Sequence, residues 1–200
     1  SDLTVQLGCL GALHAEVTFR GRAAHSARPW HGENALTRAG EFLTELGRRA
    51  PDEVAVDDLV FCEVFTATGA WTRNVRNVVP DAFTVNVNYR YAPNMQPAEA
   101  EARMVDLVDG RADVEVVDHA PPGRPRRDAE LVAAFLDVVA APVEPKQAWT
   151  DVARFCQVGV PALNYGPGLT AQAHQAREHV PEANLLVARH ALATFLSGPG

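Results

Sequence analysis

Two histidines stand where a chain can do chemistry. His25 lies in GRAAHSARPW (21–30), a loop shared with Arg22, Arg28 and Trp30 between a strand pattern and a helix pattern. Binding and catalytic side chains concentrate on loops held by rigid elements. His174 lies in TAQAHQAREHV (170–180), between the Gly166-Pro167-Gly168 loop and the last helix pattern. A histidine at such an edge serves as a metal ligand, a general base or an ordinary surface residue. The run HQAREH is not HExxH, because the glutamate does not follow the first histidine. A catalytic zinc takes about three protein ligands, and the sequence offers no convincing cluster of them. His190 falls inside an apolar helix pattern, and His14, His31 and His119 carry no signal.

Arg28, Arg90 and Arg154 each fall at the edge of an element beside polar or aromatic neighbours. A guanidinium fork matches a carboxylate in a bidentate way, so three in one pocket would suit a small polyanionic substrate; singly, each is as well explained by solubility. Asn77 in RNVVPD can bond a ligand or hold its own turn. Gly166 permits a ligand to approach the backbone closely, or simply turns the chain. In Trp149-Thr150-Asp151 the expected role is helix capping by Asp151.

The elements that must position these residues follow from periodicity. LHAEVTFR (13–20) alternates as a strand, and 33–49 places Leu36, Ala39, Phe42, Leu43 and Leu46 on one helical face. LVFCEVFTAT (59–68) and AFTVNVNYRY (82–91) read as strands joined by a loop rich in turn formers. Pro97 opens a helix to Val108, closed by Asp109-Gly110, and ADVEVV (112–117) is a further strand. The order is β-α-β-β-α-β, the ferredoxin-like arrangement, which makes 12–118 one domain. HAPPGRPRR (119–127) reads as a linker. Beyond it the spacing predicts a helix capped by Asp128 and running to about Ala140, a strand KQAW (146–149), a short helix at 151–157, a strand PALNY (161–165) and a helix over 182–196. Two short strands cannot make a doubly wound sheet, so 119–200, with 1–11 entering it, reads as a portion of a larger α/β domain.

Composition narrows the class. A formal net charge of −7 in 200 residues argues against a nucleic-acid binder. Three widely spaced cysteines with no CxxC suit free thiols in a cytoplasmic protein. No membrane-spanning run and no export signal are expected.

Singly these signals are unspecific; together they are not. The blocks GRAAHSARPWHGENA (21–35), RNVVPDAFTVNVNYRYAP (76–93), WTDVARF (149–155) and VPALNYGPGLTAQAHQAREHV (160–180) occur in this order. They resemble the zinc-dependent aminoacylase and peptidase family that includes succinyl-diaminopimelate desuccinylase, acetylornithine deacetylase and carboxypeptidase G, and look most like the first. The resemblance implies a ferredoxin-like lid that makes a homodimer, followed by the C-terminal part of an α/β catalytic domain holding two zinc ions per full-length subunit. It implies cleavage of an N-acyl amide bond in a small N-acyl amino acid, N-succinyl-diaminopimelate foremost, with acetylornithine deacetylase or peptidase chemistry as the alternative. Among the metal ligands only His174 has a counterpart here, and the Glu-Glu pair that supplies the general base has none. The chain alone is therefore expected to be inactive. The lid histidine matching His25 reaches the partner's site to contact the oxyanion, and Asn77, Arg90, Thr150, Arg154 and Gly166 match substrate-holding positions. A non-catalytic ferredoxin-like dimerisation module is the second reading.

Overall fold

A computed structural model describes residues 1–198. The chain runs β1 (Val5–Leu7), β2 (Gly11–Arg20), β3 (Ala24–His25), α1 (Ala35–Arg38), α2 (Gly40–Arg48), β4 (Asp52–Val56), β5 (Leu59–Trp71) and β6 (Val78–Val79). It continues through β7 (Ala82–Tyr91), α3 (Pro97–Val108), β8 (Asp113–Ala120), α4 (Glu130–Val139), β9 (Val143–Pro145), α5 (Val152–Gln157), β10 (Leu163–Asn164) and α6 (Glu182–Ser197). Two compact units result: Gly11–Val54 with Cys62–Pro121, and Ser1–Leu10 with Ala55–Phe61 and the chain from Pro122 onward.

The first unit is built on a five-stranded sheet of order β4-β5-β7-β2-β8. β2 is antiparallel to both β7 and β8, and β5 to β7. Without β4 this is the β-α-β-β-α-β order of the ferredoxin-like fold. Alternation along β2 and β7 sends Leu13, Ala15, Val17, Phe19, Phe83, Val85, Val87 and Tyr89 to one face, where Phe42 and Leu46 of α2 and Met104 and Val108 of α3 complete the core. The other face carries His14, Glu16 and Thr18 of β2 beside Asn88, Asn86 and Thr84 of β7. The helix expected over 33–49 is broken at Ala39 into α1 and α2; the Asn34 carboxamide caps α1, accepting from the N–H groups of Leu36 and Thr37. α3 starts and stops as expected, with Asp109 and Gly110 both in the left-handed region.

The second unit has a three-stranded sheet, β10-β1-β9, in which β1 lies antiparallel to β10 and parallel to β9. Several expectations fail here. The strand expected over 146–149 lies instead at Val143–Pro145, because it is Val143, Glu144 and Pro145 that register with Val5, Gln6 and Leu7. The strand expected over 161–165 shortens to Leu163–Asn164. Asp128 does not cap α4: its carboxylate accepts from Arg126 Nε at 3.1 Å, and the helix begins after Ala129 with no side-chain cap. Asp151 precedes α5 without capping it and pairs with Arg154 instead. The proposed linker is shorter than 119–127, since β8 continues through His119 and Ala120.

Candidate functional site

His25 is held by short-range geometry. β3 pairs with β6, His25 opposite Val78, and the Ser26 N–H donates to the Asn77 carbonyl at 2.9 Å. The sequence expectations His25 and Asn77 are thus brought together, both exposed. The base of the loop is fixed by a two-way bridge between Arg22 and Glu33. Gly21 lies so close to this crossing that a Cβ there would sit 2.1 Å from the Glu33 carbonyl oxygen, which excludes any side chain.

The imidazole itself is oriented. The Ala27 N–H donates to His25 Nδ1 at 3.1 Å. A ring nitrogen that accepts carries no proton, so the neutral ring keeps its proton on Nε2. The side chain therefore presents a donor outward.

Arg90 stands near the end of β7, between Val64 of β5 and Ala12 of β2. Its Nε donates to Asn88 Oδ1 at 2.9 Å. Among the described residues no carboxylate pairs with it, and partial burial pulls its pKa below the ordinary value. A guanidinium held at Nε keeps its two Nη groups for another acceptor.

The second unit holds the other expected residues. The Thr150 hydroxyl oxygen is enclosed and, among the described residues, has no hydrogen-bond partner. The Thr150 carbonyl accepts from the Ala153 N–H at 3.0 Å and opens α5. Arg154 is exposed, 3.3 Å from Asp151 Oδ1, with its guanidinium over the Trp149 ring. Gly166 donates its N–H to Ser1 Oγ and accepts the Leu3 N–H, which ties its loop to the segment leading into β1. His174 is exposed, follows the 3-10 turn Thr170–Gln172, and adopts φ +63, a left-handed conformation uncommon for a residue with a Cβ.

Among the described residues no group of three or more His, Cys, Asp or Glu converges on one point. The donors that two zinc ions require are not assembled by these described residues. Also among them, no helix is long and apolar enough to cross a membrane.

Two groups that the sequence reading passed over are engaged. His119 accepts or donates at 2.7 Å with the buried Tyr91 hydroxyl and lies 2.9 Å from Glu101 through Nδ1. Burial, with Glu101 nearby, pushes the Tyr91 phenol well above its ordinary pKa. Glu63, fully buried, accepts from the Tyr89 hydroxyl, Arg103 Nη1 and the Ala92 N–H, each at 2.8 Å. Glu63 had a signal in sequence: a lone carboxylate on the inward face of an apolar strand.

The family model described as a peptidase dimerisation domain matches residues 7–115. The chain belongs to this M20 dimerisation-domain family. A succinyl-diaminopimelate desuccinylase of Corynebacterium glutamicum is 32% identical over 96% of the chain and 54% of its own length. An acetylornithine deacetylase of Myxococcus xanthus is 30% identical over 92% of the chain and 53% of its own length. The chain thus spans about half the length of these curated relatives. The fold is shared with a Staphylococcus aureus tripeptidase at TM-score 0.72 and 15% identity, over 96% of this chain and 52% of that one. It is shared too with an M20 family metallo-carboxypeptidase of Sulfolobus solfataricus at TM-score 0.70 and 15% identity, over 96% and 59%. The M20 chain is therefore a mixed α/β protein with a ferredoxin-like lid, as the sequence resemblance implies.

Proposed function

We propose that this M20 chain supplies the dimerising lid and part of the substrate pocket of an amidohydrolase acting on an N-acyl amino acid. The names of the relatives favour N-succinyl-diaminopimelate as substrate, with an N-acetyl amino acid second. The observation that carries the reading is the Ala27 N–H bond to His25 Nδ1, since it leaves an Nε2 donor for the oxyanion that forms when the amide carbon is attacked. A preorganised donor of this kind contributes about 3 kcal/mol to a barrier. Arg90 and Arg154 supply forks for substrate carboxylates. The Thr150 hydroxyl, enclosed without a partner among the described residues, is suited to a substrate acceptor, because an orphaned hydroxyl costs about 1–3 kcal/mol. Asn77 and Gly166 contribute polar contacts in the same reading. His174 would be this chain's own ligand to a metal, and the described residues do not complete that site.

His25 is proposed to serve the partner of a homodimer. The edge strand β8 and the exposed Val105 and Val116 offer a surface for pairing two lids. In the complete enzyme, His25→Ala should lower kcat by about a hundredfold or more while metal content stays the same. An unchanged kcat removes His25 from the chemistry. A non-catalytic dimerisation module, the second reading, is favoured by the family model itself, and sustained turnover by the complete protein would exclude it.

A further inference from the structure

The polar face of the five-stranded sheet carries a chain of side chains ending at Arg90. Asn88, itself 7% exposed, accepts from Arg90 Nε at 2.9 Å through Oδ1. Its Nδ2 donates to the Leu13 carbonyl at 3.2 Å and to His14 Nε2 at 3.1 Å. His14 Nδ1 lies 3.4 Å from the Asn86 carboxamide, which also meets the Thr68 hydroxyl.

The donors and acceptors settle their own directions. An arginine Nε only donates, so the Asn88 oxygen must face it and the Asn88 amide nitrogen must face His14. His14 Nε2 then accepts, and the neutral ring keeps its proton on Nδ1. Asn86 Nδ2, 3.4 Å from His14 Nδ1, donates to the Thr68 hydroxyl; exchanging the Asn86 amide oxygen and nitrogen would let the oxygen accept the ring proton.

We infer that Asn88, oriented by His14, is the positioning residue that locks Arg90 by its Nε and presents both Nη groups to a substrate carboxylate. This rests on the carboxylate-binding role proposed for Arg90. A flexible arginine gives up rotamer freedom when it binds; one already fixed at Nε has less left to lose. Asparagine is disfavoured on a strand, so Asn86 and Asn88 on β7 call for a reason beyond folding, and the fixed fork supplies one.

The test uses the full 200-residue chain labelled with 15N, and succinate as the dicarboxylate probe. The Arg90 Nε–H resonance is identified by its loss in Arg90→Lys. In the wild type it should exchange slowly with solvent and shift as succinate is added. In Asn88→Ala the exchange should quicken about tenfold, and the succinate dissociation constant should rise about five- to tenfold, with the remaining sheet amides unmoved. His14→Ala should act in the same direction, more weakly. His14→Gln, whose amide oxygen can accept from Asn88, should restore slow exchange. This pair keeps the test open if Asn88→Ala fails to fold. Wild-type exchange and affinity in Asn88→Ala, or His14→Gln behaving as His14→Ala, would overturn the proposal. An Arg90 resonance indifferent to succinate would instead overturn its carboxylate role, while Nε–H exchange in the variants would still decide whether Asn88 anchors it.

Discussion

At the scale of single residues, the site rests on side chains whose hydrogen bonds dictate what their remaining atoms can do. His25 accepts at Nδ1 and so donates at Nε2; Arg90 is held at Nε and so offers its fork. Glu63 is the structural counterpart, a carboxylate 1% exposed with three donors around it. Its ion pair with the half-exposed Arg103 carries little weight, because water can replace that contact. Its bond to the Ala92 N–H matters more, since that donor would be left buried and unpaired, whereas the Tyr89 hydroxyl keeps Met95 Sδ and Arg103 Nη1 as partners. Glu63→Ala should therefore destabilise the fold by about 2–3 kcal/mol in urea unfolding, and Glu63→Gln, which still accepts the Ala92 N–H, by about half as much. Equal stability of wild type and Glu63→Ala would show that Glu63 is not the tie described.

At the scale of elements, what was legible in the sequence was what local chemistry controls. Alternation in AFTVNVNYRY gave β7 its two faces, and Pro97 with Asp109-Gly110 bounded α3 at the observed residues. What misled was capping by Asp128 and Asp151, because each carboxylate had a nearby arginine as a competing partner. The shift of β9 to Val143–Pro145 was not legible, since its parallel pairing with β1 joins segments far apart in sequence. Of the candidate site, the blocks around His25, Arg90 and His174 could be read, but not Asn88 or His14, whose part depends on cross-strand register. The loop carrying His25 depends on the close crossing at Gly21. Gly21→Ala would drive a methyl into the Glu33 carbonyl, and is expected to cost about 1–3 kcal/mol and to move the β3 amides in an NMR spectrum. Unmoved β3 amides would mean that the loop is held elsewhere.

At the scale of the whole molecule, the proposed function makes dimerisation the step that would turn the lid into part of an active site. β8 ends the sheet, and Val116, 38% exposed, lies on it. An uncovered edge strand is open to pairing with a second copy. Val116→Lys should raise the dimer dissociation constant by about tenfold or more in sedimentation equilibrium, whereas an unchanged constant would place the interface on another surface. The central claim, that His25 serves the partner's chemistry, is tested most directly by mixing two inactive variants of the complete enzyme, His25→Ala and His174→Ala. A mixed dimer would hold one site with both an intact His174 and the partner's intact His25. Free exchange of subunits in a two-fold dimer should then return about a quarter of wild-type turnover. No recovery, with mixed dimers demonstrably formed, would contradict the claim.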